Sequence, residues 1–120
     1  MKTKKTAAGS SKAHQPLDGA QLEAVAALFA LLSEPSRLRI LQALQGQPLS
    51  VGQLVEKTGL KQANVSRQLS ALSSAGVISR RAEGNFGIYS ISLPMVFDLC
   101  QIVCDGVVEM ATKRAEALQR

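Results

Sequence analysis

Two short amphipathic segments separated by a glycine constrain the fold of this chain more than any other feature. The first, residues 50 to 58, starts with Ser50 and Gln53 at capping-box spacing, in which the two side chains satisfy each other's backbone donors. It stops at Gly59, a residue able to take the left-handed conformation that closes a helix. The second segment follows at residues 62 to 74. Two short helices joined by a tight glycine-containing turn predict a helix-turn-helix.

The second helix of this motif has two distinct faces. Val65, Leu69 and Leu72 recur at helical spacing and predict a single stripe against the core. The opposite face is small, polar and carries one arginine; it comprises Ala63, Ser66, Arg67, Ser70 and Ser74, with Asn64 beside them. In a helix-turn-helix, the second helix enters the major groove, and its N-terminal residues reach base edges.

The outward residue types of this helix match those that read DNA directly. Gln62 and Asn64 can pair bidentately with adenine, and Arg67 can pair with guanine. The small side chains of Ala63 and Ser66 allow a close approach to the bases. The competing interpretation is a small helical domain in which this helix faces solvent.

Apolar periodicity predicts three further helices around the motif. The first covers about Asp18 to Leu32, the second begins at Pro35 and ends before Gly46, and the last runs from Pro94 to about Leu118. The second helix is expected to bury Leu38, Ile40, Leu41 and Leu44.

A β-hairpin is predicted directly after the helix-turn-helix. Two β-prone runs, residues 77 to 82 and 87 to 92, surround a turn-forming composition at residues 83 to 86. Arg80 and Arg81 lie on its first strand, where a wing would contact backbone phosphate. We therefore expect a mainly α (α+β) winged helix-turn-helix with about five helices and a two-stranded wing.

The positive charge is concentrated in the centre of the chain. The net charge is +5 over 120 residues, and residues 35 to 82 hold seven arginines and lysines against one glutamate. This pattern suggests a polyanionic partner, of which nucleic acid is the commonest, but charge alone is equally consistent with an ordinary solvated basic face. The helix-turn-helix motif makes double-stranded DNA the expected partner. Residues 1 to 16 have no apolar periodicity and predict a disordered basic arm before a single domain at residues 17 to 120.

Several function classes are disfavoured by composition. The chain shows no Ser/His/Asp set and no glycine-rich phosphate loop, and His14, its one histidine, lies in the arm, so we do not expect an enzyme. Four scattered aromatic residues offer no stacking platform for single-stranded nucleic acid. With neither a leader pattern nor a membrane-spanning stretch, a cytoplasmic protein that does not contact the membrane is expected.

The segment LSEPSRLRILQAL, together with SVGQLVEKTGLKQANVSRQLSALSSAGVISRRAEGNFGIYSI, resembles the arsenic-repressor (ArsR/SmtB) family of winged-helix regulators. The resemblance covers about Leu22 to the C-terminus. It implies a homodimer whose first and last helices pair across the two-fold axis. It also implies that the dimer binds a palindromic operator as a repressor and that an inducer relieves the repression. The recognition-helix motif of the family falls on Lys61, Gln62, Asn64, Ser66 and Arg67, and the wing on Arg80, Arg81 and Asn85. The chain departs from the family pattern at two positions. Gln68 stands where the family often has histidine, and Lys61 stands where a capping serine is common.

Dimerisation is also expected from the apolar surface of the last helix. Its apolar positions are too many for a small core to cover; they are Leu99, Ile102, Val103, Gly106, Val107 and Met110. The first helix is apolar over much of its circumference as well. The surplus surface of both helices is therefore expected to meet a symmetry mate.

The two cysteines of the chain, Cys100 and Cys104, lie one turn apart on one face of the last helix. The resemblance offers no ready-made metal site, because its Cys-x-Cys positions at the third helix are Val51 and Gln53 here. A zinc site on the last helix would also lack histidine.

Three interpretations of the cysteine pair stay open: inert interface residues, a thiol-redox or sulfide-type sensor, and a soft-metal or arsenite site without a certain cofactor. Asp98 and Asp105 are expected to raise the thiol pKa values. The predicted function is a homodimeric repressor released by a thiol-reactive or soft-metal inducer at Cys100 and Cys104. The alternative is a winged-helix protein-interaction module with inert structural cysteines.

Overall fold

The computed structural model describes residues 15 to 119, so most of the predicted basic arm at residues 1 to 16 lies outside it, including His14. Its elements are α1 (Gly19–Leu32), α2 (Pro35–Leu44), β1 (Leu49–Ser50), α3 (Val51–Thr58), α4 (Gln62–Ser74), β2 (Ile78–Glu83), β3 (Phe86–Ile91) and α5 (Pro94–Leu118). The predicted winged helix-turn-helix is confirmed, and a third strand, β1, pairs with the two-stranded wing. No helix within the described residues is both long and apolar enough to cross a bilayer.

The chain forms two compact units that meet in sequence between Ala30 and Leu31. The first unit contains most of α1, which starts with a pair of reciprocal bonds. The Asp18 backbone N–H donates to Gln21 Oε1 at 2.9 Å, and the Gln21 N–H donates to Asp18 Oδ1 at 2.8 Å. This acidic N-cap explains why the helix begins one residue after the predicted boundary.

In the second unit, local signals set the ends of the helix-turn-helix. The Ser50 N–H donates to Gln53 Oε1 at 2.9 Å and the Gln53 N–H donates to Ser50 Oγ at 3.2 Å, which confirms the capping box. Gly59 ends α3 with φ of 74°, a conformation that costs little for a residue without a side chain.

The core of this unit lies between α2, α3, α4 and the sheet, and its largest fully buried side chains are Ile40, Leu49, Leu54, Val65, Leu69, Leu72, Val77 and Val96. The prediction that Leu38 is buried is wrong, because this side chain is 41% exposed. At 100° per residue, Leu38 lies about 160° around α2 from Ile40. It therefore points nearly opposite to Ile40 and lies outside the stripe formed by Ile40, Leu41 and Leu44.

The sheet has the strand order β1-β3-β2 and is antiparallel throughout. A two-residue turn, Gly84 and Asn85, joins β2 to β3, and the pairing of Glu83 with Phe86 closes it. The predicted hairpin is thus confirmed. The strand that was not predicted, β1, pairs Leu49 with Tyr89.

Candidate nucleic-acid interface

Helix α4 is held by one face and presents the other to solvent. Val65, Leu69 and Leu72 are at most 1% exposed, which confirms the predicted stripe. The outward positions are all exposed; they are Gln62, Ala63, Ser66, Arg67 and Ser70. The buried stripe fixes the rotation of α4 about its axis, and so determines which side chains a duplex would meet.

Asn64 differs from these neighbours because its side-chain amide is bonded within the protein. It is half-buried, and its Nδ2 donates to Ser36 Oγ at 3.3 Å. Its Oδ1 accepts from Gln68 Nε2 at 2.9 Å and from Arg67 Nη2 at 3.4 Å. The bidentate adenine contact expected of Asn64 would require these bonds to be exchanged.

Gln68 connects this cluster to α2. It is 7% exposed, and its Oε1 accepts from Arg37 Nε at 2.8 Å. Arg37 Nη1 also donates to the carbonyl oxygen of Leu31 at 3.0 Å. From the sequence, Gln68 is only a departure from the histidine that is common in the family. Its bond to Arg37 could not be predicted, because Arg37 lies 31 residues away on another helix.

The N-terminus of α4 has no side-chain cap. Lys61 occupies the N-cap position in an extended conformation and makes no capping hydrogen bond. The first-turn N–H groups of a helix have no intrahelical partner, and the helix dipole adds partial positive charge there. This end of α4, together with the exposed Lys61 ammonium, can therefore receive a backbone phosphate.

The hairpin brings Arg80 onto the same surface as α4. Ser66, Ser70, Arg80 and Tyr89 line a shallow groove between the helix and the strands. The Arg80 side chain lies across Gly87 on β3, and a Cβ at that position would overlap Arg80 Nε. The missing side chain on β3 therefore leaves room for this arginine to lie flat on the sheet.

Arg81 has a different environment. Successive residues of a strand point to opposite faces, so Arg80 and Arg81 diverge. Arg81 Nη2 donates to Glu83 Oε2 at 2.9 Å in an exposed ion pair, whereas Asn85 is exposed in the turn. The two arginines predicted together in the wing thus differ in direction and in local charge.

Sequence reasoning missed several hydroxyl groups in the groove. Ser73, Ser79 and Tyr89 line it beside the predicted residues, and hydroxyls are common donors to phosphate oxygen. The density of serine between residues 66 and 79 was the available signal.

A second site lies between α2 and α5, where a cavity of about 250 Å³ contains both cysteines in its wall. Leu41, Val96 and Phe97 are among its apolar lining residues. Cys100 is half-buried, whereas Cys104 is exposed. The cavity exceeds the roughly 150 Å³ space that admits benzene in another protein, so it has room for a small molecule.

Burial raises the pKa of the Cys100 thiol above its ordinary value, and the nearby Cys104 raises it further. The raised pKa of Cys100 agrees in direction with the expectation from the sequence. Its causes are burial and Cys104, whereas the sequence-based expectation rested on Asp98 and Asp105. The Asp105 carboxylate accepts from Gln101 Nε2 at 2.9 Å. Among residues 15 to 119, no three Cys, His, Asp or Glu side chains cluster as metal ligands.

We expect iodoacetamide to alkylate Cys100 more slowly than Cys104 at neutral pH. Because burial disfavours the thiolate, Cys100 should gain reactivity only as the pH rises beyond the ordinary thiol range. Peptide mass spectrometry over a pH series measures both rates, and the chain unfolded in urea serves as the control, in which the rates should converge. Equal or faster alkylation of Cys100 in the folded protein would contradict this expectation.

Comparison with known proteins agrees with this geometry. The model of the "Bacterial regulatory protein, arsR family" matches residues 34–80. The uncharacterised HTH-type transcriptional regulator Rv0081 of Mycobacterium tuberculosis is 36% identical over 95 residues, which cover 78% of this chain and 83% of that protein. Its crystal structure superposes with a TM-score of 0.73 at 33% identity, over 82% of this chain and 99% of that one.

Two further solved structures share the fold. One is the homodimeric winged helix-turn-helix DNA-binding domain of Mb0332 from Mycobacterium bovis, with a TM-score of 0.67, 32% identity, and coverage of 76% of this chain and 87% of that one. The other is AntR, an antimony-specific transcriptional repressor, with a TM-score of 0.76, 27% identity, and coverage of 89% and 97%. The chain therefore belongs to the ArsR family of bacterial regulators, and it is a DNA-binding transcriptional regulator rather than an enzyme.

Proposed function

We propose that the protein is a homodimeric repressor that binds a palindromic operator and releases it when an inducer acts at Cys100 and Cys104. The observation that carries the DNA-binding part is one continuous outward surface. It joins the uncapped N-terminus of α4, the exposed polar face of that helix and the Arg80 side of the hairpin.

In this proposal α4 enters the major groove and the wing follows the backbone. Arg67 is exposed in the N-terminal half of α4 and reads guanine, while Ala63 and Ser66 permit close approach. The proposed DNA contacts are Lys61, Gln62, Ala63, Ser66, Arg67, Ser70, Arg80, Arg81 and Asn85. Asn64, which the sequence predicts as a further contact, is bonded within the protein and is left out of this set. Within the wing, Arg80 shares the groove of α4, whereas the charge of Arg81 is partly offset by Glu83.

The dimer interface is proposed to use α1 and α5. The α5 side chains Ile102, Val103, Val107 and Met110 are between 50% and 69% exposed, which is unusual for a row of large apolar residues. Leu22 and Phe29 on α1 are also more than half exposed. A homodimeric relative with the same fold supports dimerisation, and a two-fold axis would bring two copies of α4 to two half-sites.

Replacing Arg67 by alanine tests the DNA-binding surface. We expect the affinity for a duplex selected by the parent protein from a randomised pool to fall by about 5- to 150-fold, the range of one lost guanine contact. Fluorescence anisotropy at fixed salt measures it. Lys57→Ala, which removes one exposed charge from α3, is the matched control and should cost much less.

A parent chain without any preferred duplex would contradict the proposed operator binding. Equal losses for Arg67→Ala and Lys57→Ala would remove Arg67 from its proposed role in base reading.

The inducer part of the proposal depends on the position of the cysteines. Helix α5 carries the thiols in the cavity wall and the exposed apolar row along its length. A bond formed to one thiol, or a disulfide between the two, would distort α5 and alter the spacing of the two recognition helices.

We expect one of four treatments, peroxide, polysulfide, arsenite or cadmium, to release the parent protein from its selected duplex. The double variant Cys100→Ser/Cys104→Ser should stay bound under the same treatment, because the hydroxyls are neither oxidised nor bound by soft ions. Anisotropy follows release, and mass spectrometry identifies the modified thiol. Equal release of parent and variant would reject the cysteine mechanism and leave operator binding intact.

A further inference from the structure

Four side chains form a hydrogen-bonded series from α2 to the outer face of α4. Arg37 Nε donates to Gln68 Oε1 at 2.8 Å, and Gln68 Nε2 donates to Asn64 Oδ1 at 2.9 Å. At the outer end, Arg67 Nη2 donates to the same Asn64 oxygen at 3.4 Å. The series connects a half-buried arginine to an exposed one through two amides.

The direction of every bond in this series follows from Arg37. A guanidinium has only donors, so Gln68 must turn its carbonyl oxygen toward Arg37 and its NH₂ group toward Asn64. Asn64 must then present its own oxygen to Gln68, and its NH₂ group is left to donate to Ser36 Oγ at 3.3 Å. The oxygen fixed in this way is the acceptor that Arg67 uses.

Burial makes this arrangement hard to exchange with water. Gln68 is 7% exposed, and a buried amide left unpaired is costly. Arg37 is anchored twice, because its Nη1 also donates to the carbonyl oxygen of Leu31 at 3.0 Å. The inner half of the series is therefore rigid, and its outer end reaches solvent.

We propose that Arg37 is a positioning residue that sets sequence specificity from outside the recognition helix. Through Gln68 it orients the Asn64 amide, and Asn64 Oδ1 restrains the Arg67 guanidinium before DNA arrives. An arginine restrained in advance loses less side-chain entropy on binding a base. Asn64 acts through Arg67 in this scheme and does not itself read adenine. The inference rests on the proposed role of Arg67 in base reading.

The test compares two duplexes: the one selected by the parent chain, and the same duplex with the Arg67-dependent base pair replaced. Arg37→Gln should lower the preference between them by about tenfold, within the range of one base contact. Lys57→Gln removes the same charge from an exposed position on α3. It should weaken binding to both duplexes alike and keep the preference within twofold.

A double-mutant cycle separates positioning from a general structural role. In an Arg67→Ala background, which has already lost the preference, Arg37→Gln should lower the affinity for the selected duplex no more than Lys57→Gln does, because the residue it positions is gone. A purely structural effect of Arg37 would lower both affinities together in either background.

Asn64→Asp provides a second variant that retains an acceptor for Arg67 and Gln68 but cannot donate to adenine. Binding-site selection with this variant should return the same bases as the parent, and loss of a selected adenine would overturn the inference. An unchanged preference in Arg37→Gln, or an equal loss in the Arg67→Ala background, would also overturn it. A parent chain without any preferred duplex would instead overturn the proposed function itself.

Discussion

Replacing Val107 by glutamate should convert the protein to monomers at micromolar concentration and weaken its binding to a palindromic duplex by about a hundredfold or more. The size follows from linked binding, because joining two binding modules raises affinity by roughly 10²- to 10⁴-fold over either alone. Val107 lies in the apolar row of α5 and is 57% exposed, so a charge there should spare the core. In a two-fold interface the substitution would be repeated on both subunits.

Sedimentation velocity measures the oligomeric state, and anisotropy with the selected duplex measures affinity. Gln47→Glu adds the same charge at an exposed position between α2 and β1, and it should remain dimeric. A Val107→Glu protein that stays dimeric would exclude this row from the interface. A monomer that binds as tightly as the parent would show that two-site binding does not contribute.

Leu69→Ala should lower the free energy of unfolding by about 2 to 5 kcal/mol, the range for removing a buried leucine side chain. Leu69 is 1% exposed in the stripe that holds α4 on the core. The loss would be a large share of the total, because domains of this size are stable by only about 5 to 15 kcal/mol.

Urea denaturation at one fixed protein concentration measures the change, since association contributes to apparent stability. Leu118→Ala makes the same chemical change at a position that is 82% exposed, and it should alter stability by less than about 0.5 kcal/mol. Equal losses in the free energy of unfolding for the two substitutions would show that burial in the α4 stripe does not cause the effect of Leu69→Ala.

Features with local causes could be predicted from the sequence. Ser50, Gln53 and Gly59 determine the ends of α3 through bonds and dihedral angles within a few residues. Helical spacing was sufficient to place Val65 and Leu69 in the core, because a helix that packs on one side buries one stripe.

Features that depend on distant residues could not be predicted from the sequence. The bonds of Asn64 to Ser36 and of Gln68 to Arg37 span 28 and 31 residues, and no spacing rule within α4 indicates them. Strand β1 escaped prediction because two residues cannot show an alternating pattern. The opposite directions of Arg80 and Arg81 were available from strand periodicity, but the Glu83 ion pair required the structure.

Ser50 has two structural roles with a mechanical consequence. As the last residue of β1 it pairs with Ile88 of the wing, and as the N-cap of α3 it begins the helix-turn-helix. Ser50 therefore joins the wing to the helix-turn-helix. Within a subunit, we expect the wing and the helix-turn-helix to move as one rigid body. The protein would then adapt to operators of different half-site spacing by a change at the dimer interface.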